Sequence, residues 1–284
     1  MLMDLFGRGY SASPDPKLYR YDSSLYATQI LIAIQSSLLH WKSFTLIGYS
    51  LGGAIAADFA SHFPSCIANL ILLAPGGLIR SKHVTWKSRL LYSSSSILPN
   101  SFVERLVAKR LYTGPSTART IEPESDNTAS SGGGGGDGGK KKGGGGLRSQ
   151  AVYLSSHTAL LPSHPQSTVG AVVDWQIEHH AGFVPAFISS IRYAPIHDQH
   201  HRWRIIRDNM REGKSTFDRV VLVLGETDPI VVAEELVPDA KGVLGDDGVE
   251  AIVMKGTGHE VAIERPREIA DIVVNQQERS FWNS

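Results

Sequence analysis

The stretch LIGYSLGG, residues 46–53, sets a single serine between glycines at the end of an apolar run. Phe44 to Tyr49 has the character of a short strand, and Ala54, Ala56, Ala57 and Ala60, mixed with Ile55 and Phe59, follow at helical spacing. The pattern reads strand, sharp turn, helix. A G-x-S-x-G string arises by chance in about one chain in ten of this length, so its position is what gives it weight. A strand that turns at once into a helix forces the central residue into a strained backbone conformation and pushes its hydroxyl outward. Flanking glycines remove side chains that would clash there. The helix N-terminus also favours negative charge developing beside Ser50. Two readings of Ser50 stand at this point, a nucleophile or a residue of an ordinary glycine-rich turn.

Working outward, the same alternation recurs. Leu25 to Leu39 repeats apolar residues near helical spacing behind the capping candidates Asp22, Ser23 and Ser24. Asn69 to Ala74 is a buried-type strand ended by Pro75, Gly76 and Gly77, Val220 to Leu224 is a third strand and Glu250 to Lys255 a fourth. Pro266 opens a final helix carrying Ile269, Ile272 and Val273. Strands alternating with helices predict an α/β fold, a mostly parallel sheet with helices on both faces.

More than a hundred residues separate the second and third strands, too many for a simple crossover. The expected organisation is a core from residues 1–75 and 202–284 with an inserted lid or cap over 76–201. Inside the insertion, the Gly/Lys-rich tract 130–149 has no side chains able to bury apolar area and is expected to be a disordered tether. Ser101 to Tyr112 sets Phe102, Val103, Leu106, Val107 and Leu111 on one side in a locally basic region, and Ile177 to Tyr193 reads as one helix kinked at Pro185. A basic amphipathic lid can meet lipid or an acidic substrate, but a solvated face over the core is the more economical reading.

Composition limits the function classes. With 284 residues and 42% hydrophobic content, the chain can bury a sizeable core. Lys+Arg 28 against Asp+Glu 28 leaves no net charge, which disfavours a nucleic-acid partner. Cys66 is the single cysteine, so no intrachain disulfide forms and a reducing, cytoplasmic compartment is expected. No stretch of eighteen apolar residues is present, and the opening MLMDLFGRGY has no secretory pattern, so no stable membrane insertion is expected. None of these features fixes an oligomeric state.

A serine hydroxyl needs a base to take its proton. Of eleven histidines, His259 has the most suggestive setting, after the fourth strand through Gly256, Thr257 and Gly258 and before the last helix. The base needs a carboxylate to hold its tautomer, and Asp228, just beyond the third strand, lies on the same sheet edge. Plain turn or capping roles for Asp228 and His259 are the competing readings. His179, His180, His197, His200 and His201 invite a metal hypothesis, but no H-E-x-x-H pattern accompanies them and surface or lid positions are favoured. Gly7 and Gly9 make only half of a dinucleotide fingerprint, and Gly132 to Gly146 has no strand and helix to hold a phosphate.

Ser50, Asp228 and His259 occur in the chain order of the α/β-hydrolase fold, and the sequence resembles that family, of the AB hydrolase-1 type. GYSLGG is similar to its nucleophile elbow, GETDPIV to its acid turn, GTGHEVAIERPREIADIV to its histidine loop and final helix. Asp4, Gly7, Gly9 and Ser11 match its D-x-x-G-x-G-x-S segment. The resemblance implies a serine hydrolase acting on a small-molecule acyl substrate, with Ser50 as nucleophile, His259 as general acid and base, Asp228 as its orienter and the Leu51 amide as one oxyanion donor. No metal or organic cofactor is implied.

One departure stands out. Family members carry strands before the D-x-x-G-x-G-x-S segment, and a loop after one of them supplies a second oxyanion donor. Without them a gap with exposed ladder edges is expected beside the Ser50 strand unless a partner or a rearranged segment fills it, and removing one donor costs about a hundred- to a thousandfold in rate. The expectation is therefore an N-terminally truncated α/β-hydrolase fold with a helical lid insertion. The alternative is a catalytically impaired, hydrolase-fold binding or interaction protein.

Overall fold

Asp22 begins the first helix, its carboxylate accepting from the amides of Ser24 and Leu25 at 3.0 and 3.1 Å. In the computed structural model, which describes residues 1–80, 92, 99–112 and 156–282, that helix is α1 (Ser23–Gln35). It ends four residues before Leu39, where Ser36 and Ser37 turn the chain. Strand β1 (Phe44–Tyr49) and helix α2 (Leu51–His62) follow with Ser50 alone between them. A 3-10 turn then leads into β2 (Ile67–Leu73).

The insertion contributes α3 (Asn100–Leu111), an antiparallel hairpin of β3 (Ala159–Leu161) and β4 (His164–Thr168), α4 (Val169–His179) and α5 (Phe183–Tyr193). The chain returns through α6 (His200–Arg211), β5 (Val220–Gly225), α7 (Ala233–Leu244), β6 (Val249–Met254), a single turn α8 (Val261–Glu264) and α9 (Pro266–Trp282).

The four long strands form one parallel sheet in the order β1-β2-β5-β6. Tyr49 pairs with Leu73, Leu73 with Val223, and Gly225 with Met254, so the strands end along one rim. Apolar side chains cover both faces, as a parallel sheet requires. On one side Ile55, Phe59, Trp203, Ile206 and Leu236 bury against Leu70, Leu72, Leu222 and Leu224. On the other, Ile269, Ile272 and Val273 of α9 pack on Ile71, Leu73, Val221 and Val223. Among the described residues no strand pairs with the outer side of β1, where Ile47 is 44% exposed. No helix of the described residues is long and apolar enough to cross a membrane.

The insertion differs from its sequence reading in two places. The helix expected over Ile177 to Tyr193 is two helices, because His180 leaves helical geometry at φ −118° and ψ 89° and closes α4. Pro185 then falls in the first turn of α5, where a missing N–H costs no hydrogen bond, so it starts a helix and does not kink one. On α3 only Val103 and Val107 are buried, against Phe183, Val184 and Ile188, whereas Phe102 and Leu106 lie one helical step aside and are exposed. The tract 130–149, with Lys82, Lys87 and Arg89, lies outside the described residues.

The N-terminal segment holds the insertion through polar contacts. Gly7 and Gly9 adopt positive φ, the latter where a Cβ would strike the Asp4 carboxylate. Between them the Arg8 guanidinium donates to Gly7 O and Ser190 Oγ and lies 5.2 Å from the Phe183 ring centre. Further along, Ser13 Oγ meets His180 Nε2 at 2.6 Å, and the Tyr21 amide donates to Ser189 Oγ at 3.1 Å.

Candidate active site

Ser50 has φ 52° and ψ −117°, a left-handed strain that a non-glycine residue adopts at a cost of roughly 1–3 kcal/mol. The turn is held on both sides. The Ser50 amide donates to Leu73 O at 2.9 Å, and Ser50 O accepts from the amides of Gly53 and Gly76, each at 3.0 Å. A Cβ on Gly48 would stand 2.3 Å from Gly52 O, and one on Gly53 would stand 2.6 Å from Pro75 Cβ. At Gly52 a Cβ would meet nothing within 4 Å. The two positions where space is decisive are therefore 48 and 53, whereas the motif's second glycine meets no such limit.

The rim gathers the other two residues. Asp228 follows β5, and its Oδ1 accepts from the amides of Ile230 and Val231 at 2.7 and 2.9 Å. Its Oδ2 lies 2.7 Å from His259 Nδ1, and His259 Nε2 lies 2.9 Å from Ser50 Oγ. An ionised carboxylate only accepts, so Nδ1–H donates to Asp228 and Nε2 is left to accept from the serine hydroxyl. Both side chains are buried. Three donors around one buried carboxylate compensate its lost hydration. The acid and histidine loops are also stitched together: Thr227 donates through both its amide and its hydroxyl to Thr257 O, each at 3.0 Å, and Arg265 Nε donates to Thr257 Oγ1 at 3.1 Å. Gly225 permits this approach, since a Cβ there would lie 2.0 Å from Gly258 O.

Leu51, the first residue of α2, carries one of the N–H groups that a helix cannot satisfy internally, directly beside Ser50. Behind the imidazole is a pair that no sequence spacing marks. Tyr49 Oη donates to Glu260 Oε2, and the Tyr49 ring lies 5.6 Å from the His259 ring. Burial first, then the neighbouring Glu260 carboxylate, hold the Tyr49 hydroxyl far above the ordinary phenol range, so it stays a donor. The only hint in sequence is adjacency, Tyr49 to Ser50 and Glu260 to His259.

The segment after Asp228 also walls a cavity of about 450 Å³. Leu78, Ile191, Ile196 and Ile230 line it together with His197 and the Arg80–Asp239 ion pair. Of the other histidines singled out in the sequence, His179 stacks on Trp175 and His180 meets Ser13. Among the described residues no three His, Cys, Asp or Glu side chains gather to hold a metal.

The rat Monoacylglycerol lipase ABHD6 is 25% identical over 237 residues, covering 84% of this chain and 55% of that protein. The mouse Serine hydrolase-like protein is 36% identical over 73 residues, 26% of this chain and 22% of that protein. The chain thus spans about half or less of the length of the curated relatives it matches. Among solved structures, the meta-cleavage product hydrolase CumD from Pseudomonas fluorescens IP01 superposes with a TM-score of 0.56 at 13% identity, covering 98% of this chain and 78% of that one. A family model described as the alpha/beta hydrolase fold matches residues 1–266, and the chain belongs to that family.

Proposed function

We propose that this chain is a serine hydrolase that cleaves an ester or related acyl bond through Ser50, His259 and Asp228. The observation that carries the reading is the unbroken chain of contacts from Ser50 Oγ through the imidazole to Asp228, at 2.9 and 2.7 Å. Ser50 Oγ attacks the acyl carbon as its proton passes to His259 Nε2, and the leaving alcohol departs with that proton. Water then gives a proton to Nε2 and attacks the acyl-enzyme, the acid leaves, and Ser50 recovers its hydrogen. Asp228 stabilises the imidazolium in both halves, and the Leu51 amide supplies one donor to the oxyanion. No metal or organic cofactor enters this scheme.

The name of the rat relative supports an acyl ester as the substrate class. In the same reading residues 76–201 form the cap over a core of 1–75 and 202–284. The lone thiol, Cys66, supports a reducing, cytoplasmic setting. A second reading, a binding protein of impaired turnover, draws on the outer edge of β1, which no strand of the described residues pairs.

Labelling of the folded chain with a fluorophosphonate probe, paired with hydrolysis of p-nitrophenyl esters, separates the two. The hydrolase reading expects stoichiometric labelling that Ser50→Ala abolishes, with kcat lowered on the order of 10⁴- to 10⁶-fold. A folded chain that neither labels nor turns over ester supports the binding protein.

A further inference from the structure

Among the described residues two side-chain hydrogen bonds join the serine turn to the histidine loop, and in the proposed reaction one of them takes part. The first is the Ser50–His259 hydrogen bond at 2.9 Å, which is given up when Ser50 Oγ becomes an ester oxygen. The second is the Tyr49–Glu260 hydrogen bond, one residue away on each side. Glu260 is 6% exposed and Tyr49 is half-buried, so the bond is partly shielded from water, which makes it more costly to leave unmade. Glu260 also marks the start of α8, so the bond holds the place where the histidine loop re-enters helix.

The geometry points to Tyr49 and Glu260 as positioning residues that keep the His259 loop docked on the serine turn through the acyl-enzyme stage. Resting on the hydrolase reading above, this assigns a role to the variable position of the G-x-S-x-G motif. Neither group touches the reacting atoms. Asp228 orients the imidazole from the β5 side through Nδ1, and the Tyr49 ring borders the imidazole from the β1 side while its hydroxyl fixes the residue next in the chain. Once Ser50 is acylated it has no hydroxyl proton to donate to the imidazole, and these two restraints keep Nε2 aimed at the incoming water. A small misplacement of a reacting group is sufficient to cost one to two orders of magnitude.

The test measures kcat, KM and thermal midpoint on the full chain for Tyr49→Phe, Glu260→Ala, Glu260→Gln and the Tyr49→Phe/Glu260→Ala double variant, using a p-nitrophenyl ester. Tyr49→Phe and Glu260→Ala are expected to lower kcat about tenfold with KM within about twofold, because alignment suffers and the pocket does not. The double variant should lose no more than the worse single one, since both remove the same bond. Glu260→Gln, whose amide oxygen still accepts from the phenol, should lose less than Glu260→Ala. If Glu260→Ala does not fold, Tyr49→Phe, the least intrusive change, decides alone. Wild-type kcat in a folded Tyr49→Phe variant, or losses that multiply in the double variant, overturns the assignment. Fluorophosphonate labelling separates the two failures. A labelled wild type with an unaffected Tyr49→Phe sinks this inference alone, and an unlabelled, inactive wild type sinks the hydrolase reading and this one with it.

Discussion

Among the described residues two serine–histidine hydrogen-bonded pairs join side chains distant in sequence, apart from the neighbouring pairs Ser61–His62 and Ser163–His164, and the two are unequal. Ser50 Oγ and His259 Nε2 are 2.9 Å apart at the sheet rim, whereas Ser13 Oγ and His180 Nε2 are 2.6 Å apart at the seam between the N-terminal segment and the insertion. The shorter pair lacks what the proposed function asks of the longer one. His180 Nδ1 is buried and meets no partner among the described residues, so nothing there steadies an imidazolium, whereas His259 Nδ1 faces a carboxylate. Ser13 sits on an irregular loop, and Ser50 occupies a strained turn at a helix N-terminus. Proximity of a serine to a histidine is a tether in one region and a proton-transfer geometry in the other, and the third group and the backbone decide which.

Replacing the third group tests that contrast most directly. Asp228→Asn preserves shape but offers an amide in place of the acceptor that fixes the Nδ1–H tautomer. Ester hydrolysis should fall on the order of 10⁴-fold, read as kcat/KM on a p-nitrophenyl ester. Ser13→Ala should leave fluorophosphonate labelling of Ser50 intact. Labelling that moves with Ser13, or full activity in Asp228→Asn, would reverse the roles given to the two pairs.

The backbone half of the contrast is tested by two glycines of one motif. Gly48→Ala drives a methyl to within 2.3 Å of a backbone oxygen at the start of α2 and should destabilise the fold by about 3 kcal/mol or more, seen as a lower denaturant midpoint. Gly52→Ala enters open space near the start of α2 and should be neutral or stabilising by less than about 1 kcal/mol. Equal effects would mean that the serine turn is held by something other than the packing of strand against helix.

Much of this rim is legible in the sequence, and the reason is physical. β1 runs Phe44–Tyr49, as the apolar run predicts, because its boundaries are chemical: a Ser-Phe edge on one side and a serine turn on the other. The same holds for β5 and β6, which end at glycine-containing turns. The site follows because parallel strands bring their C-terminal loops to one edge whatever the intervening length. The insertion is less legible. Its α4 opens on Thr168, whose hydroxyl accepts from the Ala171 amide at 3.1 Å, a capping signal hidden beside a polar hairpin. Helix α7 carries Pro238 internally and α6 is dominated by charged residues, so tertiary packing of Trp203, Ile206 and Leu236 decides what local pattern does not. Tyr49–Glu260 escapes a sequence reading for a related reason. A hydrogen bond across 211 residues leaves no spacing to recognise.

A third histidine supplies the smallest and last test. His197 resembles His180 in having a buried Nδ1 without a partner among the described residues, and it lines the apolar cavity beside the acid loop. Burial lowers its pKa below the usual imidazole value, against weaker opposing effects of the neighbouring Ile79 backbone and the nearby Asp198. The unfolded chain therefore binds the proton first. Its contribution to stability is complete above the ordinary histidine pKa of about 6.5 and is lost as the pH falls through the lower folded value. Denaturant midpoints between pH 7.5 and 5 should drop further for the wild type than for His197→Gln, which cannot be protonated. Parallel curves would show that His197 is already solvated and that the cavity wall it forms is open to water. A wild-type excess loss confined to the acid side would show the opposite, that burial in the cavity wall outweighs the nearby Asp198 carboxylate and disfavours the charged imidazole.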